Sequence, residues 1–101
     1  MIDPPGGFVS GGTYLFQLDA FKDGVAWDIT GGVVTLYLKK SGASVLSNSA
    51  TLPGSPSNRA TYTSTTLQLT PGLWRASWKV VKGGIEVESD ADSFNVAPSL
   101  A

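Results

Sequence analysis

The sequence contains neither cysteine nor histidine in its 101 residues. Without cysteine the chain has no disulfide framework, no thiolate nucleophile and no thiolate metal site. The lack of histidine removes the commonest general base and the commonest side-chain ligand of transition metals. Catalysis would have to rely on carboxylates. We therefore expect a protein that is not an enzyme and that binds no cofactor.

Charge is also scarce. Seven lysine and arginine residues stand against eight aspartate and glutamate residues, and charged residues make up 15% of the sequence, below the roughly 25% usual in soluble domains. Such a chain has no electrostatic footprint for nucleic acid or for an anionic membrane. Because low net charge promotes association, we expect a homo-oligomer or a subunit of a larger assembly, with no nucleic-acid and no membrane partner.

Long apolar runs are missing as well. No run approaches the roughly 20 residues of a membrane-spanning helix, and the N-terminus lacks the basic and apolar regions of a signal peptide. We expect a protein that is made in the cytoplasm. Its length fits one domain with a single hydrophobic core.

Residues 1–12 concentrate proline and glycine, which exclude a helix and indicate an extended segment. Phe8 and Val9 give this segment apolar side chains that can dock. Two interpretations stay open. The segment is either a frayed terminus or an arm that reaches a neighbouring subunit, with Pro4, Pro5, Phe8 and Val9 as its partner-binding residues.

Alternation with a period of two begins after this segment. Tyr14, Phe16 and Leu18 share one face and predict a strand. The run 33–38 is the richest in β-branched and aromatic residues and predicts another. Residues 65–69 fit either a strand or one turn of helix. Further strands are predicted at residues 25–27, 45–51, 59–63, 73–80, 85–87 and 93–96.

Turn residues separate these strands. Asp23-Gly24 and Gly83-Gly84 suit the positive φ angles of tight hairpin turns, and prolines mark residues 53–58 as the longest loop. Seven or eight short strands without an amphipathic helix are typical of a β-sandwich or barrel. We predict an all-β antiparallel sandwich over residues 13–97, with the extended arm before it and a short tail over residues 98–101.

The three tryptophans divide into two groups. Trp74 and Trp78 share a strand face with Ala76 and Val80, while the residues between them include Arg, Ser and Lys, so both are predicted to lie in the core. Trp27 lies beside a turn, and two interpretations stay open for it: packing beneath a loop, or contact with a partner. It therefore joins the candidate partner-binding residues.

Acidic residues are the remaining candidates for chemistry. Glu86 and Glu88 lie about 7 Å apart on one strand face, where a solvated surface is a better explanation than a glycosidase pair. Glu88, Asp90 and Asp92 alternate along the chain and would collect Ca²⁺ only if the chain curled around the ion. No glycine turns that segment, which favours a charged connection that protects an edge strand. We expect no metal site and no catalytic residue.

Several short motifs resemble one family. Asp23-Gly24-x-x-Trp27-Asp28-Ile29-Thr30-Gly31, followed by the strand 33–38, resembles the start of immunoglobulin-like domains in tailed-phage virion proteins, notably the N-terminal domain of baseplate upper proteins. The stretch Thr70-Pro71-Gly72-Leu73-Trp74 is similar to the family's entry into a late strand, with Trp74 where tyrosine is commoner. Ser93-Phe94-Asn95-Val96 resembles the family's last strand.

The resemblance extends over about residues 13 to 96. It implies an immunoglobulin-like β-sandwich of seven or eight short strands. It also implies a non-enzymatic structural protein of the virion, made in the host cytoplasm, that docks on other capsid or tail subunits. A capsid decoration (cement) protein, or a neck, tail or baseplate accessory protein, fits a free-standing domain with an arm. A carbohydrate-binding or adhesin-type module that displays Trp27 is the alternative.

Overall fold

The computed structural model describes residues 7–54, 56–66 and 68–99, and every regular element within those ranges is a β-strand. The prediction of an all-β chain is thereby confirmed. No helix that could span a membrane occurs among these residues. The strands are β1 (Phe8–Val9), β2 (Leu15–Asp19), β3 (Phe21–Lys22), β4 (Val25–Ala26), β5 (Val33–Lys40), β6 (Leu46–Ser49), β7 (Arg59–Thr63), β8 (Gly72–Lys82), β9 (Ile85–Glu88) and β10 (Asp92–Ala97).

The main sheet is built around β8, its longest strand. The whole of β5 pairs antiparallel with residues 74–81 along one edge of β8. The other edge of β8 is shared, because β10 pairs with residues 72–76 and β9 with residues 79–82. β6 extends the sheet beyond β5, and β1 lies parallel to β10 at the opposite side. The predicted Gly83-Gly84 hairpin is present between β8 and β9, with both glycines at positive φ.

A smaller layer covers the inner face of this sheet. β2 pairs antiparallel with β7, and a bridge between Thr51 and Thr61 continues the layer on the far side of β7. β3 and β4 form a separate hairpin through the predicted Asp23-Gly24 turn. Because inward side chains of β2 pack on the main sheet, the architecture is sandwich-like.

Two adjoining clusters of buried side chains fill the space between the layers. The first joins Phe16 of β2 to the main sheet, and the second forms around the fully buried Ile29. Trp78 packs against both clusters. Burying a side chain such as Phe16 contributes about 1.5–3 kcal/mol. The first cluster contains Phe8, Phe16, Leu36, Leu38, Leu69, Trp74, Ala76, Phe94 and Val96, and the second contains Ala20, Ile29, Val34, Ala60 and Val80.

Residues 28–30 attach the long loop after β6 to the rest of the domain. The Asp28 carboxylate accepts the N–H groups of Thr30 and Ser57 at 3.0 and 3.2 Å, and Ile29 N–H donates to the Ser57 carbonyl at 2.8 Å. Hydrogen bonds from the Thr30 hydroxyl, the Thr30 N–H and the Ser57 N–H lower the pKa of Asp28. The Asp-Ile-Thr motif singled out in the sequence therefore holds a loop in place.

The structure corrects the boundary of the predicted arm. Phe8 and Val9 form β1 and pair with Val96 and Ala97, so both residues belong to the main sheet and the sandwich begins before residue 13. Phe8 is only 5% exposed and packs in the chain's own core. A position this well buried is not the exposed docking position expected for it. Pro4 and Pro5 lie outside the described residues.

The undecided segment 65–69 adopts neither a strand nor a regular helix in its described residues. Gln68 N–H donates to the Thr65 carbonyl at 3.2 Å, which marks a turn. Leu69 then enters the first core cluster with 1% exposure. The segment is a turn that anchors one apolar side chain.

Candidate functional site

One edge of β2 has no strand partner among the described residues. At one end of β2, Ser64 N–H donates to the Tyr14 carbonyl at 2.9 Å, and just beyond the other end Ala20 N–H donates to the Asn58 carbonyl at 2.7 Å. The even-numbered residues of β2 therefore direct their backbone N–H and C=O groups towards β7. In an antiparallel strand, alternate residues direct their N–H and C=O groups to opposite edges. The residues that direct theirs to the unpaired edge are Leu15, Gln17 and Asp19.

A cleft runs beside this edge, between β2 and the segment that joins β9 to β10. Its polar part has a volume of about 460 Å³ and its apolar part about 300 Å³. The two parts share Leu18, Asp19, Trp78 and Ser89, so they form one continuous depression, which we call the β2 cleft. The polar part is also lined by Leu15, Gln17, Asp90 and Asp92, and the apolar part by Ala20, Phe21, Trp27, Val80 and Val87.

The floor of the β2 cleft contains Trp78. Its side chain was predicted to lie in the core, and it does pack against both core clusters. Trp78 is nevertheless only half-buried, and it lines both parts of the cleft. The other large apolar side chains on its strand face, Trp74 and Val80, are buried as predicted. Trp78 therefore gives the cleft an aromatic surface within reach of a bound molecule.

A β-bulge shapes the wall opposite β2. Lys79 pairs with Glu88 and Ala76 pairs with Asp92, so β8 advances three residues while the facing chain advances four. One extra residue in a ladder defines a bulge and shifts which side chains face inward. The inward residue is Val87 before the bulge and Asp92 after it, since these pair with inward-facing residues of β8.

The bulge separates the three acidic residues that alternate along the sequence. Glu88 pairs with Lys79 on the outer face of the main sheet, whereas Asp92 lines the β2 cleft. The carboxylates of Glu88, Asp90 and Asp92 therefore do not converge. No group of three acidic side chains suited to a metal ion is found in the part of the chain that the structure describes.

The remaining acidic pair lies on the outer face. Glu86 forms an ion pair with Lys79 and is exposed, as is Glu88. The hydrogen bond that the Lys79 ammonium donates to the Glu86 carboxylate raises the pKa of Lys79. A solvated outer face was the favoured interpretation of Glu86 and Glu88, and the structure places both there.

Negative charge gathers at the polar part of the β2 cleft. Asp19, Asp90 and Asp92 line it, and no lysine or arginine is present among the described lining residues. Arg59 contacts Asp19 from β7 with an Nε to Oδ1 distance of 2.9 Å. This hydrogen bond, followed by one from Gln17, lowers the pKa of Asp19, so the residue stays ionised.

Trp27 lies between the second core cluster and the apolar part of the β2 cleft. Its N–H donates to the Ala20 carbonyl at 3.0 Å, and its side chain packs partly against the second core cluster. It also lines the apolar part of the β2 cleft. Contact between Trp27 and a partner stays a prediction. Phe8 and Val9 do not line this cleft.

Gln17 and Ser89 are among the cleft residues that the sequence did not mark as candidates. Nothing in the local pattern marks β2 as a strand with one partner, since that depends on the topology of the whole chain. The bulge does leave a trace: the inward positions change from odd at Val87 to even at Phe94. That change of parity predicts one extra residue between the two strands.

Comparison with models of known protein families finds no match for this chain, and comparison with curated proteins finds none either. The chemistry of the β2 cleft is a row of backbone donors and acceptors, an aromatic floor and a negatively charged end. Such a site is suited to binding an extended molecule.

Proposed function

We propose that the chain is a non-enzymatic structural domain of a tailed-phage virion. In this proposal an immunoglobulin-like sandwich docks on neighbouring virion subunits, as a capsid decoration (cement) protein or as a neck, tail or baseplate accessory protein. The observation that carries the proposal is the edge of β2 that has no strand partner within residues 7–54, 56–66 and 68–99, and that directs the backbone groups of Leu15, Gln17 and Asp19 into an open cleft. An exposed strand edge is a template for pairing with another chain.

The strand order supports the immunoglobulin-like part of the proposal. In such sandwiches the strands named C, F and G form one sheet with F in the centre, and B neighbours E in the other. Here β5, β8 and β10 have that order in the main sheet, and β2 pairs with β7. In that fold strand A neighbours strand B, so the edge of β2 that is unpaired among the described residues corresponds to the position of strand A.

The sequence supports the virion part. Residues 23–31 and 93–96 carry the resemblance to tailed-phage domains, and the net charge of −1 suits docking by shape. Large assemblies join their subunits through such complementary surfaces. Extended strands that add to a sheet edge supply main-chain hydrogen bonds without requiring charge.

Mass spectrometry of particles purified on a density gradient from a lysate of the source culture tests this function. We expect the chain in the particle fraction at a fixed ratio to the major capsid or tail protein. Its absence from intact particles would contradict the proposal. Disassembly of the particles into heads and tails then assigns the chain to one of the two.

A proline substitution tests whether particle binding depends on the β2 edge. Gln17→Pro removes an N–H that β7 does not use, so the domain should keep its fold while particle binding is lost. Ser47→Pro is the matched control, since Ser47 lies on β6 and also directs its N–H away from its partner strand. Binding by the Ser47 variant and loss of binding by the Gln17 variant are the expected results in cosedimentation.

A carbohydrate-binding module is the second candidate. Trp78 lines the polar part of the β2 cleft together with Gln17 and Asp90, and Trp27 lines the apolar part. Sugars stack on aromatic rings and hydrogen-bond to neighbouring carboxylates and amides. Binding on a glycan array that Trp27→Ala abolishes would favour this function. Tyr37→Ala, on the outer face of the main sheet, is the control that should leave such binding unchanged.

A further inference from the structure

We infer that the β2 cleft receives a single extended segment of a neighbouring protein chain, which pairs antiparallel with β2 and places a lysine or arginine beside Asp90. This inference rests on the proposed function and specifies the chemistry of the docking partner. It combines the unpaired edge, the apolar floor and the charge of the cleft.

The backbone sets the length and direction of the segment. β2 contains five residues, which corresponds to about 17 Å of strand. Both described pairings of the smaller layer, β2 with β7 and Thr51 with Thr61, are antiparallel, and antiparallel pairs are slightly more stable per residue than parallel ones. An antiparallel segment of about five residues therefore bonds to Leu15, Gln17 and Asp19 and fills the edge.

The edge lacks the usual protection against such pairing. Exposed edge strands commonly carry lysine, proline or a bulge that prevents other chains from adding to them. β2 has the sequence Leu-Phe-Gln-Leu-Asp, which contains no lysine and no proline, and the charge of Asp19 at its end is paired with Arg59 of β7. Leu15 is 62% exposed at the start of the strand. These features fit an edge that is covered in the assembled state.

The floor of the cleft selects the side chains of the segment. Successive side chains of a strand point to opposite faces, so every second residue of the segment faces Trp78 and its neighbours. Leu18, Val80 and Val87 continue this surface into the apolar part of the cleft. Valine, isoleucine or threonine at alternate positions of the segment therefore contacts apolar atoms.

The charge of the cleft selects the ends of the segment. The Asp90 carboxylate gives the polar part a negative field, and the described lining includes no cationic side chain, whereas Asp19 is already paired with Arg59 from β7. A lysine or arginine at the end of the segment compensates this field, and opposite charges at an interface also accelerate association. An acidic segment would meet the Asp90 carboxylate and would be rejected.

The probe for this inference is an acetylated and amidated seven-residue peptide of alternating valine and threonine with a lysine at each end. It is titrated into the ¹⁵N-labelled full chain, and binding is followed by NMR shifts and by amide hydrogen exchange. We expect the shifts to be concentrated in β2 and around Trp78 and Ser89. The amides of Leu15, Gln17 and Asp19 should exchange more slowly, while those of the even-numbered residues change little.

Two control peptides separate the causes of binding. Methylation of alternate peptide nitrogens removes the backbone donors and should weaken binding by about tenfold or more, the factor that corresponds to losing roughly one hydrogen bond. Replacing both lysines by glutamates should also weaken binding, and added salt should reduce the difference between the two peptides.

Variants of the chain complete the test. Gln17→Pro should abolish binding of the lysine peptide, and Ser47→Pro should preserve it. Asp90→Asn should weaken the lysine peptide and leave a valine-threonine peptide without lysines unaffected. Equal binding of all peptides to the wild-type chain and to the Gln17 variant would overturn the inference.

Other occupants of the cleft give distinct results. In one such result, the amides of Leu15, Gln17 and Asp19 already exchange slowly in the free chain and exchange fast once residues 1–6 are removed. That result would overturn the inference and assign the edge to the chain's own first residues. Protection that rises with protein concentration, without peptide, would assign it to a second copy. Glycan binding without peptide binding would overturn it in favour of the second candidate function. Presence of the chain in particles without peptide binding would leave the virion role standing and refute this inference alone.

Discussion

Trp78 and Ser89 exchange two hydrogen bonds at the point where β9 ends. Trp78 N–H donates to the Ser89 hydroxyl at 2.9 Å, and Ser89 N–H donates to the Trp78 carbonyl at 2.8 Å. A side-chain oxygen thus takes the place of the backbone acceptor that the bulge displaces. These two hydrogen bonds fix β8, which carries Trp78, to the segment between β9 and β10 that lines the β2 cleft.

Ser89→Ala should destabilise the domain by removing this acceptor. The Trp78 N–H then depends on water, and we expect the free energy of unfolding to fall by about 0.5–1.5 kcal/mol. Urea denaturation measures the change. Ser93→Ala is the control, because Ser93 is exposed on β10, and its effect should stay within about 0.5 kcal/mol. Equal losses in the two variants would show that the exchange contributes nothing.

Local patterns predicted much of this fold correctly. The alternation of Trp74, Ala76, Trp78 and Val80 identified the inner face of β8, because side chains of a strand must alternate between two faces. The Asp23-Gly24 turn was equally predictable, since few other residues accept its backbone angles. Both features depend only on residues that are neighbours in sequence.

Long-range pairings were beyond the reach of those patterns. β1 has two residues, and its place depends on Val96 and Ala97 at the other end of the chain. Proline and glycine around Phe8 favour an extended segment, but they do not specify the strand beside which it lies. The β2 cleft has the same origin, because it arises where strands distant in sequence meet and one edge of β2 has no partner in the described part of the chain.

Phe8→Ala distinguishes a core residue from an arm residue. The Phe8 ring packs against Tyr14, Phe16 and Phe94 with centroid distances of 5.0, 5.8 and 4.6 Å. Removing a buried aromatic ring should lower the free energy of unfolding by about 3–5 kcal/mol. Urea or thermal denaturation provides the measurement.

Leu73→Ala is the control for this loss, because Leu73 is 53% exposed on the outer face of β8. Its truncation should cost within about 0.5 kcal/mol. A Phe8 variant as stable as the Leu73 variant would restore the arm interpretation for this residue.

Acid stability should depend on the contact between Thr30 and Asp28. The pKa of Asp28 lies below its usual value of 3.8 because the Thr30 hydroxyl and backbone donate to the carboxylate. The folded state therefore binds this proton less readily than the unfolded state. The resulting stabilisation is complete above pH 3.8 and disappears as the pH falls through the lower pKa of the folded state.

Thr30→Val removes the hydroxyl and should reduce this pH dependence. We expect the variant to be less stable than the wild type at neutral pH, with the difference shrinking on acidification from about pH 5 to about pH 2. Urea denaturation across this range supplies the profile. Thr63→Val, at an exposed position of β7, should keep the wild-type profile. A constant difference between the Thr30 variant and the wild type at every pH would contradict the linkage.

Gly24→Ala tests the turn of the β3–β4 hairpin, which places Phe21 beside the β2 cleft. Asp23 and Gly24 have φ angles of 53° and 78°. In this left-handed region a residue with a Cβ atom destabilises the folded state by about 1–2 kcal/mol relative to glycine. We expect a loss of that size in thermal denaturation. Asp23→Asn is the control, because asparagine tolerates this region as well as aspartate does. If alanine at position 24 proves as stable as the control, the hairpin has a different turn.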